Sequence, residues 1–170
     1  MICIISNPLD HSHKWNENTQ RQHLKFYLIK GKATTNQDWK HVKWISEVSS
    51  VCGCDFSGIV SQVGKNVTKF KVGDRIAGAV HGGRYPDKGS FAEFTPADPL
   101  LCFHIPAHMS FEEASVYGVC AGTAAACLFQ KLGLNPPSNP YTGAKRPKVL
   151  IWGAGSYCGV FAVQLAKLAG

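Results

Sequence analysis

The sequence predicts a mixed α+β fold, with a small β-barrel preceding the first βα unit of a second, truncated domain. Three observations carry this. Residues 24–109 have an all-β texture of short apolar or alternating runs broken by glycine. Helical signals begin only near Ser110. At the end, residues 148–152 (KVLIW), 153–159 (GAGSYCG) and 160–170 (VFAVQLAKLAG) read as a buried strand, a glycine turn and a helix.

Composition bounds the rest. A chain of 170 residues, 45% hydrophobic and 17% charged, suits one globular domain or one domain plus a fragment. The formal charge of +7 invites a nucleic-acid reading, but the Lys and Arg residues are dispersed with no long basic run. We expect a solvated basic surface, part of it available to a phosphate-bearing cofactor, and no nucleic-acid partner. The seven cysteines form no CxxC pair and mostly sit in apolar runs, which points to a reducing compartment. The apolar start at residues 1–5 is too short for a signal-peptide core, and no run approaches membrane-spanning length. The expectation is a cytoplasmic chain without a membrane partner.

Along the chain, residues 1–23 are rich in Asn, His and Gln and read as an irregular segment. Residues 24–132 form the barrel domain with its flanking helices. Within it, residues 26–29 are a compact apolar run and 56–63 a strand, followed by a turn at 64–66. Residues 72–80 read as a turn leading into a strand, and 90–95 alternate at period two. Ser110 and Glu113 fit a capping box, and a second helix is expected from Thr123 to Lys131. Residues 133–147 contain Pro136, Pro137, Pro140 and Pro147, which exclude a continuous helix and mark a connection. Residues 148–170 begin the second domain.

The glycine turn has a physical rationale. Glycines let the backbone turn sharply beside a pyrophosphate, while the following helix aims free amides and its positive dipole end at the phosphates. This is the opening unit of a Rossmann domain. Three residues separate Gly155 from Gly159, a departure from strict GxGxxG, and a plain strand–turn–helix remains the alternative.

The run 36–40 (NQDWK), then 53–58 (GCDFSG) and 63–76 (VGKNVTKFKVGDRI), resembles the medium-chain dehydrogenase/reductase superfamily, in its zinc-independent quinone- and enoyl-reductase branch. Cys54-Asp55-Phe56, residues 80–83 (VHGG) before Pro86-Asp87, and residues 164–169 (QLAKLA) look most like fungal trans-acting enoyl reductases of polyketide biosynthesis. The resemblance covers about residues 26–170. It implies a GroES-like barrel followed by a Rossmann domain, NADPH as cofactor, a small-molecule or carrier-protein-bound enoyl thioester as substrate, and a polyketide synthase partner.

The resemblance also assigns roles. Gln37, Asp38, Trp39 and Lys40 would line the cofactor site from the barrel. Gly153, Gly155, Ser156, Tyr157, Cys158 and Gly159 would cradle the pyrophosphate. Gly118, Val119, Cys120, Ala121, Gly122 and Thr123 would lie beside nicotinamide and substrate. Lys40 and Thr123 are the catalytic candidates, as hydrogen-bond donors to cofactor or substrate. Lys40 reads otherwise as a surface lysine, Trp39 as barrel core and Thr123 as a helix N-cap. Gln37 replaces the family's usual proline, the small residues at 120–122 suggest a wider pocket, and Tyr157 is bulkier than usual at the turn.

Zinc is not expected. The loop at 36–40 has no Cys, residues 53–55 read Gly-Cys-Asp, and Cys54 and Asp55 lack a good third ligand. Cys54 reads as a buried small residue. His81 is conceivable as a general acid but reads better as a loop-surface residue; the other histidines, His41 included, show no partner spacing. Two further readings stay open: a non-catalytic remnant or gene-model fragment with no working cofactor site, and a quinone or alkenal reductase. A strand at 149–152 without sheet neighbours would have unpaired edges.

Overall fold

The computed structural model describes residues 24–170, so the irregular segment expected at 1–23 lies outside the described residues. The described chain divides into two compact units, one running to Val119 and one from Cys120 to Gly170. The mixed α+β class read from the sequence is correct.

The first unit is built on an antiparallel sheet of five strands: β1 (Leu24–Ala33), β2 (Asp55–Gln62), β3 (Arg75–Ala79), β4 (Thr95–Ala97) and β5 (Cys102–His104). Their order is β4-β1-β2-β3-β5. Strand side chains alternate between faces, and the two faces build two cores. Phe56, Val60, Ile76 and Val80 join Phe70, Ala97 and Cys102 on one side. Ala77, with Ile105 and Ala114, packs on the other, supported by Phe103, Met109 and Phe111. The register Ser57↔Ala77 sets Ser57 on that second face, where its hydroxyl donates to the Phe111 carbonyl at 2.6 Å. This bond holds helix α2 (Phe111–Ser115) against the sheet.

The capping box expected at Ser110 and Glu113 is present: the Ser110 hydroxyl accepts from the Glu113 amide, and the Glu113 carboxylate accepts from the Ser110 amide. That anion, bonded to Ser110, has its pKa held below the ordinary range.

Several expectations are corrected. Residues 36–40 are not a loop in a β region but the start of helix α1 (Asn36–Trp44). Thr35 caps it and Asp38 completes a capping box, a signal that the β texture around it concealed. The alternating run at 90–95 is a strand only from Thr95. Before it, the amides of Ser90 and Phe91 bond to the carbonyls of Gly53 and Cys52, each at 2.9 Å, which bends the chain away from a ladder. The helix expected from Thr123 begins earlier, as α3 (Gly118–Ala125), and runs on as a π-helical stretch, Ala126–Lys131.

In the second unit residues 133–156 form no helix or strand, and α4 (Tyr157–Leu168) follows. Ala124, Leu128 and Ala162 make its core, with Val149, Ile151, Phe161 and Leu165 packed against them. The expected strand at 149–152 is absent, because no described segment offers it a ladder partner. It nevertheless keeps strand-like alternation: Val149 and Ile151 face the core, while Leu150 is 86% and Trp152 73% exposed.

Phe56 is fully buried at the centre of the larger core. Phe56→Ala is expected to cost about 3–5 kcal/mol, read by chemical denaturation with unchanged m-value.

Candidate active site

Helix α1, the entry to β2 and the turn at 81–83 are tied together through two buried side chains, Asp38 and His41. One Asp38 oxygen accepts from the Thr35 amide at 2.7 Å, closing the capping box. The other accepts from the Cys54 amide at 3.0 Å, which fixes the chain just before β2 to the first turn of α1. Asp38 therefore shapes the site from within, and its carboxylate is committed to protein donors.

His41 lies one turn further along α1. Its Nδ1 sits 2.7 Å from the Gly82 carbonyl, its Nε2 2.8 Å from Gln37 Nε2, and Cys54 Sγ approaches Nδ1 at 3.6 Å. The His81 ring lies over it with centroids 4.9 Å apart. The turn is pinned further: Gly83 donates to the Val51 carbonyl at 2.7 Å and accepts from Glu47 at 3.0 Å. His81 is exposed, as the sequence suggested, whereas His41, dismissed from sequence, is a central strut. Its signal was the i, i+4 spacing from Gln37, which places both side chains on one helix face.

The outward side of α1 carries Gln37, Trp39 and Lys40, all exposed. Trp39 is 49% exposed and tilts against Trp44 with centroids 5.2 Å apart, so the barrel-core alternative is overturned. Lys40 Nζ lies over the Trp39 ring, 6.0 Å from its centre, on an exposed side chain.

Asp55 begins β2 and is fully buried. Its Oδ1 accepts from the Val119 amide at 2.6 Å, satisfying a free donor at the start of α3. Its Oδ2 has no partner among the described residues. Burial, opposed by the Val119 bond and reinforced by Asp38, raises its pKa to about 6. Gly118 permits the close approach: a Cβ there would collide with the Gly78 carbonyl. Burial likewise pushes the Cys54 thiol up to about 12, so it stays protonated. This agrees with its reading as a small buried residue. Among the described residues no three His, Cys, Asp or Glu side chains converge as metal ligands.

The remaining candidates lie in the second unit and are described by themselves. On α3, Cys120 is buried, Ala121 half-buried, and Gly122 and Thr123 exposed. Thr123 sits inside the helix, so the N-cap alternative is overturned. At the glycine turn, Gly153 has φ +79°, a left-handed conformation suited to glycine. Gly159 allows the turn to close, since a Cβ there would strike the Gly153 carbonyl. Ser156 caps α4 by accepting from the Gly159 amide at 3.1 Å. Helix geometry leaves the amides of Tyr157 and Cys158 outside the intrahelical ladder, and the space beside Gly155 is open. These residues fit an anionic phosphate. Tyr157 is exposed at the first helical position and does not fill that space.

The alcohol dehydrogenase GroES-like domain family matches residues 27–107. The chain is 42% identical over 159 residues to a trans-enoyl reductase of Aspergillus sclerotiorum, covering 85% of this chain and 44% of that protein. It is 41% identical over 136 residues to a trans-enoyl reductase of Cochliobolus carbonum, covering 78% and 45%. Among solved structures, an alcohol dehydrogenase superfamily protein from Novosphingobium aromaticivorans matches with a TM-score of 0.72 at 25% identity, over 88% of this chain and 43% of its own. The chain belongs to the medium-chain dehydrogenase/reductase superfamily and carries its GroES-like domain. It spans a little under half the length of these relatives.

The Asp55 pKa sets a pH dependence. An aspartate raised from 3.8 to about 6 binds its proton more tightly folded than unfolded. Its contribution is present below about pH 4 and is lost as pH rises through about 6. Unfolding measured across this window should show the unmodified chain losing roughly 2–3 kcal/mol relative to Asp55→Asn, which keeps an acceptor for Val119 and does not ionise. Parallel curves would refute the assignment.

Proposed function

We propose that this chain belongs to an NADPH-dependent, zinc-independent enoyl reductase that reduces the C=C bond of an α,β-unsaturated thioester in polyketide or other secondary metabolism. The observation that carries this reading is the capped glycine turn before α4, whose free amides at Tyr157 and Cys158 suit a dinucleotide phosphate. The substrate class is supported by the 42% identity to a trans-enoyl reductase. Under this reading the thioester is presented as a small molecule or on a carrier protein of a polyketide synthase, in the cytoplasm.

Bound NADPH would supply a hydride to the β-carbon of the thioester. The chain's own part is placement and electrostatics. Gly153, Gly155, Ser156, Tyr157, Cys158 and Gly159 would form the phosphate cradle, with the amides of Tyr157 and Cys158 as its donors. Lys40 and Thr123, both solvent-accessible donors, are the candidates to stabilise negative charge developing on the thioester oxygen. Gln37 and Trp39 border the cofactor from α1, with Asp38 holding that helix, and the small residues from Gly118 to Gly122 leave room for the acyl chain. Zinc-independence rests on residues 36–40, which include no Cys, and on the lack of a good third ligand beside Cys54 and Asp55.

One observation favours a second reading, a GroES-like domain with no working cofactor site. Among the described residues, 148–152 pair with no strand, and Leu150 and Trp152 are exposed. A quinone or alkenal reductase would share the same turn and differ in acceptor.

Titration of the chain with NADPH, followed by tryptophan fluorescence, separates the first two readings. Micromolar binding supports the reductase, and no binding supports the non-catalytic domain. With a short α,β-unsaturated thioester as acceptor, Lys40→Met is expected to lower kcat/KM by about 10²-fold, in keeping with loss of one transition-state donor. Turnover of quinones but not thioesters would replace the substrate assignment.

A further inference from the structure

The hydrogen-bond polarity around His41 determines which end of Gln37 a ligand meets. The Gly82 carbonyl can only accept, so His41 Nδ1, 2.7 Å away, must carry a proton. In the neutral ring Nε2 then has no proton and can only accept. The contact from Gln37 at 2.8 Å must accordingly come from its NH₂ group. This agrees with the placement of the amide, and it follows independently from the carbonyl at the far end. With its nitrogen committed to His41, Gln37 has Oε1 as its remaining polar atom, on an exposed side chain.

We propose that His41 is a positioning residue, which locks the Gln37 amide so that it presents a hydrogen-bond acceptor to a donor on the bound ligand. The polarity runs from Gly82 through His41 to Gln37, and each link fixes the next. His41 is suited to this task because it is buried, backed by the His81 ring, and anchored on a turn that is itself held by Val51 and Glu47. A free glutamine amide turns either way and matches donors and acceptors alike; a locked one discriminates. The identity of the ligand rests on the cofactor reading: the donors available are a ribose hydroxyl or the carboxamide NH₂ of a nicotinamide dinucleotide.

The test has two arms. Ring ¹⁵N NMR of the unmodified chain, with the imidazole neutral, should show His41 as the Nδ1–H tautomer. An Nε2–H ring overturns the relay whatever the chain binds. In the second arm, NADPH titration of Gln37→Met should show about tenfold weaker binding, near the value of one hydrogen bond, and His41→Leu a smaller loss, because an unlocked amide can still turn its oxygen to the donor. The double variant should be no weaker than Gln37→Met alone, because His41 acts only through that bond. Independent, additive losses would overturn the coupling. Gln37 is exposed, so its variant stays folded even where His41→Leu does not. An Nδ1–H ring in a chain that binds no NADPH keeps the relay and overturns the cofactor as owner of the donor.

Discussion

The buried carboxylate of Asp38 is the constraint on which the candidate site depends. Placing a carboxylate out of water is costly unless donors replace its hydration. Here both oxygens receive backbone amides, from Thr35 and from Cys54. One bond starts a helix, and the other fixes where the chain enters β2. A single side chain thus couples the local event of helix initiation to the tertiary event of strand placement. Without it, α1 would lose its capping box and its register against the sheet together.

That coupling makes the inner face of α1 rigid and leaves its outer face free. His41, one turn from the cap, reaches the turn at 81–83 only because Asp38 has set the helix orientation. The second sheet face continues the arrangement through Ser57, which holds α2, and Asp55, which meets the start of α3. Gln37, Trp39 and Lys40 are exposed, and their contacts stay within the helix, to His41, Trp44 and Trp39 respectively. Sites built on a fixed scaffold with exposed working groups are arranged in this way.

Much of the fold was legible because its signals are local. The capping box at Ser110 and Glu113, the turn-then-strand at 72–80, seen as β3, and the glycine turn before α4 each depend on residues close in sequence. Helix α1 was missed although Thr35 and Asp38 carry the same box as Ser110 and Glu113, because flanking β texture outweighed a short polar motif. The alternation at 90–95 misled for a different reason: the amides of Ser90 and Phe91 are used by carbonyls at Gly53 and Cys52, which periodicity cannot reveal. At the site, the i, i+4 spacing of Gln37 and His41 was the one local sign of His41, too weak to single it out. Its importance lies in a bond to Gly82, 41 positions away, and long-range polarity leaves no periodic trace.

The three ionisable groups gathered beneath α1 solve one electrostatic problem in three ways. Asp38 accepts a backbone amide at each oxygen. Cys54 keeps its proton, its pKa raised to about 12 by burial. Asp55 does half of each, with one oxygen bonded to Val119 and the other without a partner, and a pKa near 6. Hydrogen bonding and protonation are thus two ways of relieving the same cost of burial. Lys40 stands outside the buried network, exposed to solvent on α1, while the carboxylates of Asp38 and Asp55 are held within it by the amides of Cys54 and Val119.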